Sequence, residues 1–455
     1  MCSDIQTSEV GESLALALPT PLPDTNKHEN ILTFIATKQS SHLLRITVEI
    51  NQDAAHSVFL QTVELFKNGP LDGFNLKQAS AEYVQEMYTE EIIGHTKDYF
   101  LHHLVIDFLI NEIIARKIAL VNYPRFISSE STGDKKIGFN FDVSIADSLE
   151  LKEWKHFAFR SPKRKRYKDL DKQVCAFIEN RHALAHKPNY TLAEEDDWVL
   201  FDATMLNNNL KPLHNGCCGS FWIKLGHQDG ADSLSLQLFN KSEGTSFSTS
   251  SFSIYTPRHQ SGECAYNFLI TIKTIIKGSH SSLDVLKMTF KLKNKSDVHN
   301  KLMEIFSFRN DISQRQAIVE EVFHLLLSKH RFEVPKHLIL RREEDIIATL
   351  TRQPDYHVYK AQIDFHASVE MLAEKQLKEE IIIDQIAYSE NIRTDVKDIT
   401  NYLYLLNSKR LKEFIYFKPI LERIEETCTP INTSTLTQAV LREKTLNFII
   451  HSLTK

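Results

Sequence analysis

The chain has 455 residues, room for about three domains of ordinary size. Apolar residues make up 42% and charged residues 25%, a globular composition that excludes a wholly disordered chain. No uninterrupted apolar run reaches the ~18 residues that span a bilayer, and a formal charge of −5 argues against broad coating of nucleic acid, so neither a membrane nor DNA is an expected partner.

Residues 1 to about 39 read as a disordered leader, polar and broken by Pro19, Pro21 and Pro23. Its run Leu14-Ala15-Leu16-Ala17-Leu18 is too short for a signal core and has no basic residue before it, so the expected location is the cytoplasm. The six cysteines are scattered without a framework spacing, which fits reduced thiols in that compartment.

Leu44, Ile46, Val48 and Ile50 alternate with polar residues, the period of a half-buried strand. Ala54 to Lys67 reads as a helix, and Asn68 to Phe74 as an exposed turn carrying an aromatic residue. One long amphipathic helix is predicted from about Ala81 to Arg116, and strands resume at Gly138 to Val143. The basic run Lys163 to Arg166 lacks interleaved aromatics and reads as a solvated linker, ahead of a helix at about Asp169 to His186. His182 and His186 on that helix have a metal-compatible spacing. With no third ligand nearby they read as a solvent-facing pair. Cys217 and Cys218 are adjacent and flanked by Gly216 and Gly219, which suggests a turn.

A β-rich section is predicted over about 193–276, opening at Trp198 and closing with Phe268 to Ile272. Six of the thirteen glycines lie between Gly216 and Gly262, and none follows Gly278. A stretch that long without glycine has to be mostly helix, joined by proline, asparagine and serine. Ile318 and Val322 mark one such helix, Val369 to Ile381 another, and Val396 to Leu406 a third. Thr394 is the predicted N-cap of the third, with Asp395 and Asp398 suiting its positive end.

This order of parts resembles the bacterial trigger factor family from about residue 40 to the C-terminus. Four local matches carry the resemblance. Gly73-Phe74, followed by a helix bearing Tyr88, is similar to the family's docking loop. Glu150 to Phe157, with Trp154, is similar to the stretch leaving the docking domain. Phe221 to Gly226, with Gly244 and Phe247, resembles the isomerase sheet, and Phe332 to Pro335 the entry to the first arm. The resemblance implies an α+β fold in three parts. These are an N-terminal docking domain at 40–148, an FKBP-like prolyl isomerase domain at 193–276 after a linker and helix at 149–192, and an all-helical chaperone body with arms at 277–455.

It also implies a chaperone that binds nascent or unfolded polypeptide at the ribosome, with peptidyl-prolyl isomerase activity and no cofactor or metal. No P-loop or dinucleotide fingerprint is present, so action without nucleotide is expected. The implied ribosome contacts are Gly73, Phe74 and Lys77, and the implied isomerase residues are Asp202, Phe221, Leu234, Tyr255 and Phe268. Asp202 either supports that pocket or ends a strand.

The chain departs from the family at both sites. Asn75 and Leu76 stand where the docking loop carries Arg and the residue after it, and Gln78 and Ser80 where it carries its later Lys and Pro. Each phosphate-neutralising side chain lost lowers the salt slope of an RNA contact by about 0.9, so weaker docking is expected. Ala231-Asp232-Ser233-Leu234 stands where the isomerase has Ile-Pro-Gly-Phe, leaving the slot wider and wetter. Each ~1.4 kcal/mol of lost transition-state contact costs tenfold in rate, so reduced activity is expected. The alternative is a holdase or assembly factor that has left the ribosome, with a degenerate isomerase domain.

Overall fold

The computed structural model describes residues 31–69, 78–131, 136–146, 149–163, 168–185, 192–213, 218–226, 234–252, 258–259, 262–263, 266–278, 283–309, 311–419 and 430–454. Its N-terminal sheet is antiparallel, in the order β1 (Leu32–Ser40), β2 (Leu43–Ile50), β4 (Ile137–Ser144), β3 (Arg125–Ser131). Alternation in β2 and β4 sends Ile46, Val48, Ile50, Phe139, Phe141 and Val143 into one core. Residues 32–39, assigned by composition to the leader, instead form β1 and pair with β2 from Leu32↔Ile50 onward. Most of β1 is solvent-exposed, so its side chains carry little of the alternation that marks β2.

Helix α1 (Gln52–Asn68) starts where the Asn51 side chain accepts the Ala54 N–H at 2.9 Å. The helix predicted from Ala81 to Arg116 is in fact three: α2 (Ala81–Met87), α3 (Thr89–Phe100) and α4 (Ile106–Ala115), the last two joined by a π turn at Leu101–Val105. The first break lies at Tyr88, where the Thr89 hydroxyl donates to the Gln85 carbonyl, a back-bond that bends helices. The π turn inserts one extra residue and so re-aims every side chain that follows.

Helix α5 (Leu170–Ala185) packs through Leu170 and Val174 on the helical body. A second antiparallel sheet follows. It comprises β5 (Trp198–Met205), β6 (Cys218–Lys224), β7 (Ser246–Thr249) and β10 (Phe268–Ile276), with helix α6 (Leu234–Leu238) and the two-residue pair β8 (Arg258–His259) and β9 (Gly262–Glu263) between them. The order is β13-β6-β5-β10-β7, where β13 (Ile431–Asn432) comes from near the C-terminus. Both faces are covered. Val199, Phe201, Phe221 and Phe268 share a core with the N-terminal sheet, while Trp198, Leu200 and Trp222 share one with the C-terminal helices.

After Gly278 come α7 (Leu283–Phe290), α8 (Lys295–Phe306), the two-residue strands β11 (Phe308–Arg309) and β12 (Ile312–Ser313), α9 (Gln314–Lys329), α10 (Lys336–Leu350), α11 (Tyr356–Lys360), α12 (Phe365–Ser389), α13 (Val396–Asn407) and α14 (Thr433–Leu453). Left-handed backbone is supplied without glycine, by Lys291, Asp311 and Asn391. Asn294 and Asp395 close capping boxes with Asp297 and Asp398, and Ser313 caps α9. The cap of α13 is therefore Asp395, one residue after the predicted Thr394. A carboxylate there accepts the Asp398 N–H at 2.9 Å, while the Asp398 side chain accepts the Asp395 N–H at 3.0 Å. Gly278 is required by space, since a Cβ there would lie 2.2 Å from the Asp196 carbonyl oxygen.

Candidate functional site

Helices α10, α11 and α12 make a hairpin. Its inner face is a thin apolar seam of Leu338, Ile339, Ala373, Leu377 and Ile381. Beyond the seam nearly every residue from 351 to 364 is exposed. Val358 is 66% exposed, Met371 72%, and Ile363 fully, with Leu340, Tyr359 and Leu372 also on the surface. Scattered exposed apolar residues are ordinary; six gathered on one narrow element whose tip has little of its own core are not.

The root of the hairpin is built differently. Arg342 forks onto Glu380 with two bonds of 2.9 Å, and Arg442 on α14 reaches Glu380 at 3.0 Å and forks onto Asp384 at 3.0 and 2.8 Å. Burial pushes the Glu380 carboxyl up, but the Arg442 and Arg342 guanidiniums overcome it and hold it below the usual range. At Asp384 burial wins over Arg442 and the shift is upward. Next to them Glu379 accepts the Tyr416 hydroxyl at 2.7 Å, and burial pushes its carboxyl up to about 7. A cavity of about 680 Å³ opens here, lined by His102, Tyr123, Arg342, Glu379, Tyr416 and Arg442 among others.

The residues expected to form an isomerase pocket are placed as follows. Phe221 on β6 and Phe268 on β10 are each 1% exposed and lie on one face of the central sheet, in the same core as Leu234 at the start of α6. Asp202 lies on the opposite face. Its neighbour Phe201 pairs with Phe221, whereas Asp202 pairs with Ser220 and Thr271, and one step along a strand reverses the face. The Asp202 carboxylate accepts the Ser220 hydroxyl at 2.6 Å and has Lys273 Nζ at 3.3 Å. Asp202 therefore does not end a strand, since β5 runs on to Met205, and its side chain lies on the face opposite the aromatic residues. Tyr255, residues 231–233 and the docking-loop residues Gly73, Phe74 and Lys77 lie outside the described residues, as do Arg164 to Arg166, His186 and Cys217.

The aromatic face also holds residues that sequence reasoning missed. His103, from the π turn, is 4% exposed and stacks on Tyr99 at 4.7 Å and on Phe268 at 5.5 Å between ring centroids. Phe252 and Phe221 meet it edge-on at 5.5 and 6.1 Å. Nothing local in the sequence joins position 103 to 221, 252 and 268; the doublet His102-His103 between Phe100-Leu101 and Leu104-Val105-Ile106 is the available signal. Among the described residues no group of His, Cys, Asp and Glu is arranged to hold a metal, and no helix is long and apolar enough to cross a membrane.

Comparison with known proteins follows the same lines. The family model for the bacterial trigger factor C-terminus matches residues 296–451, which take in α8 to α14 nearly whole. Trigger factor of Desulfatibacillum aliphaticivorans is 19% identical over 361 residues, 74% of this chain and 78% of that protein. Trigger factor of Geotalea daltonii is 20% identical over 354 residues, 75% of this chain and 79% of that protein. A solved chain from work on promiscuous substrate recognition in the folding and assembly activities of the trigger factor chaperone covers 92% of this chain and 100% of its own. Its identity is 13% and its TM-score 0.36, a likeness too loose to establish the arrangement of parts. The matched helical region and the two relatives together support a divergent member of the bacterial trigger factor family.

Proposed function

We propose that the chain is an ATP-independent chaperone that holds unfolded or nascent polypeptide on the exposed hairpin, and that this hairpin is the family's arm. A chaperone role is what family membership supplies; the carrying observation for the client surface is Leu340, Val358, Tyr359, Ile363, Met371 and Leu372 left uncovered around a tip with little core of its own. Many weak apolar contacts on a narrow limb let a client bind in parts and leave as its own core closes. In this reading residues 40–148 dock on the ribosome through Gly73, Phe74 and Lys77, 193–276 are an FKBP-like isomerase module with Phe221, Leu234, Tyr255 and Phe268 as its wall, and 277–455 are the chaperone body.

The test is suppression of aggregation of a chemically denatured client. Ile363→Asp with Met371→Asp is expected to weaken it several-fold while leaving the thermal midpoint unchanged, because both side chains sit in solvent. Full suppression by that double variant would move the client surface elsewhere. Ribosome docking is tested by sedimentation at low and high salt: Phe74→Ala lowers pelleting and Asn75→Arg raises it if the loop is the anchor. A second reading, a free holdase with a degenerate isomerase domain, is favoured by one observation. The aromatic wall is covered by His103 and Tyr99 of the same chain.

A further inference from the structure

His103 is an unusual occupant for an aromatic box. Neither ring nitrogen has a hydrogen-bond partner among the described residues. Burying a polar ring in that way is destabilising, a cost that phenylalanine at the same position would avoid. The backbone is shaped to deliver it. The π turn at Leu101–Val105 aims the ring at the sheet, and Gly219 on β6 leaves room for the turn to approach. A Cβ on Gly219 would lie 3.0 Å from the His103 carbonyl oxygen and 2.6 Å from the Phe221 ring. Two bonds then strap the turn from the C-terminal side. The Asn432 side-chain amide donates to the His102 carbonyl at 3.3 Å, and the Ser434 N–H donates to Asp107 at 2.9 Å.

We propose that His103 is an internal plug, occupying the aromatic socket in place of a proline-bearing polypeptide segment, which enters when the π turn and α4 withdraw from the sheet. The proposal rests on the isomerase-module reading of the sheet given above. A five-membered ring held between stacked and edge-on aromatic rings is the outline a prolyl ring presents. Burial, with His102 nearby, lowers the imidazole to about 3, so the plug is an uncharged ring, as a prolyl ring is. The closed socket accounts for Phe221, Phe252 and Phe268 facing one another while covered against solvent.

The experiment uses the full chain and a proline-containing tetrapeptide as probe. It compares the native protein with His103→Ala, which empties the socket, and His103→Phe, which refills it. Peptide binding is read by calorimetry, and cis–trans isomerisation by a protease-coupled assay. His103→Ala is expected to bind the peptide at least tenfold more tightly than the native chain, with His103→Phe at or below the native level. Faster isomerisation alongside tighter binding upholds both the plug and the isomerase reading. Tighter binding without catalysis upholds the plug and overturns the isomerase reading. A folded His103→Ala that binds no better than His103→Phe overturns the plug. Should His103→Ala fail to fold, Asp107→Ala loosens α4 from α14 without touching the socket, and no gain in binding there overturns the plug equally.

Discussion

Replacing Glu379 with glutamine isolates the energetic consequence of burying its carboxyl. In the unfolded chain this group ionises near its ordinary value of 4.5; in the folded protein burial raises it to about 7. Between those values the folded state holds more protons than the unfolded one, so stability falls as pH rises. The contribution is whole below the unfolded value, declines through the interval, and is lost above the folded value. With a shift of that size the native chain is penalised by about 1 kcal/mol near pH 5 and about 3 kcal/mol near pH 8. Glutamine keeps an oxygen for the Tyr416 hydroxyl, which now donates at 2.7 Å, but never ionises. Urea unfolding at both pH values, native against Glu379→Gln, gives the difference directly, and every other titrating group cancels in it. The variant should gain about 2.5 kcal/mol relative to the native chain between the two conditions. Parallel pH profiles, within about 0.5 kcal/mol, would refute a carboxyl held protonated by burial.

Three further substitutions test the fold around this site. Arg442→Met strips Glu380 and Asp384 of a shared guanidinium, and should cost about 3–5 kcal/mol in denaturant unfolding because two carboxylates are left buried with less charge to face. Gly278→Ala places a Cβ 2.2 Å from the Asp196 carbonyl oxygen and 2.7 Å from Asn407 Nδ2, so a loss above about 2 kcal/mol is expected in denaturant unfolding. Asp395→Ala should cost about 1 kcal/mol, and Thr394→Ala less than about 0.5, which checks by the same measurement which residue caps α13.

Local pattern made some of this structure legible and left the rest hidden for identifiable reasons. The absence of glycine after Gly278 announced the helical body, and the alternation in Leu44 to Ile50 announced β2, because each is a property of the backbone at that place. Phe221, Leu234 and Phe268 were found by resemblance and do share a core. Asp202 is implied by the same resemblance, yet parity along a strand decides the face, and position 202 differs in parity from 201. His103 could not be placed because its partners are the sheet residues 221, 252 and 268, and which helix covers which sheet is decided by the whole chain. The buried charges were closer to being readable. Asp384 follows Ile381, Ile382 and Ile383 and precedes Ile386, a helix apolar on nearly every side, and a charge inside such a run has to be paired.

Those paired charges answer a problem the hairpin creates for itself. A limb that keeps apolar side chains uncovered cannot be held straight by a core at its tip, since covering them would remove the proposed client surface. Its direction has to be fixed at the root, over few residues, by contacts that are specific in angle as well as in distance. Arg342 on α10 and Arg442 on α14 both reach the α12 carboxylate of Glu380, two of these bonds forming a fork at 2.9 Å, so three helices are tied at one point. Such a buried network adds little net stability compared with a well-packed apolar replacement, because desolvation offsets most of the attraction. What it fixes is geometry, through planar guanidiniums that accept a narrow range of partner orientations. On this argument the polar root and the apolar tip are one device, the first setting where the limb points so that the second can remain uncovered.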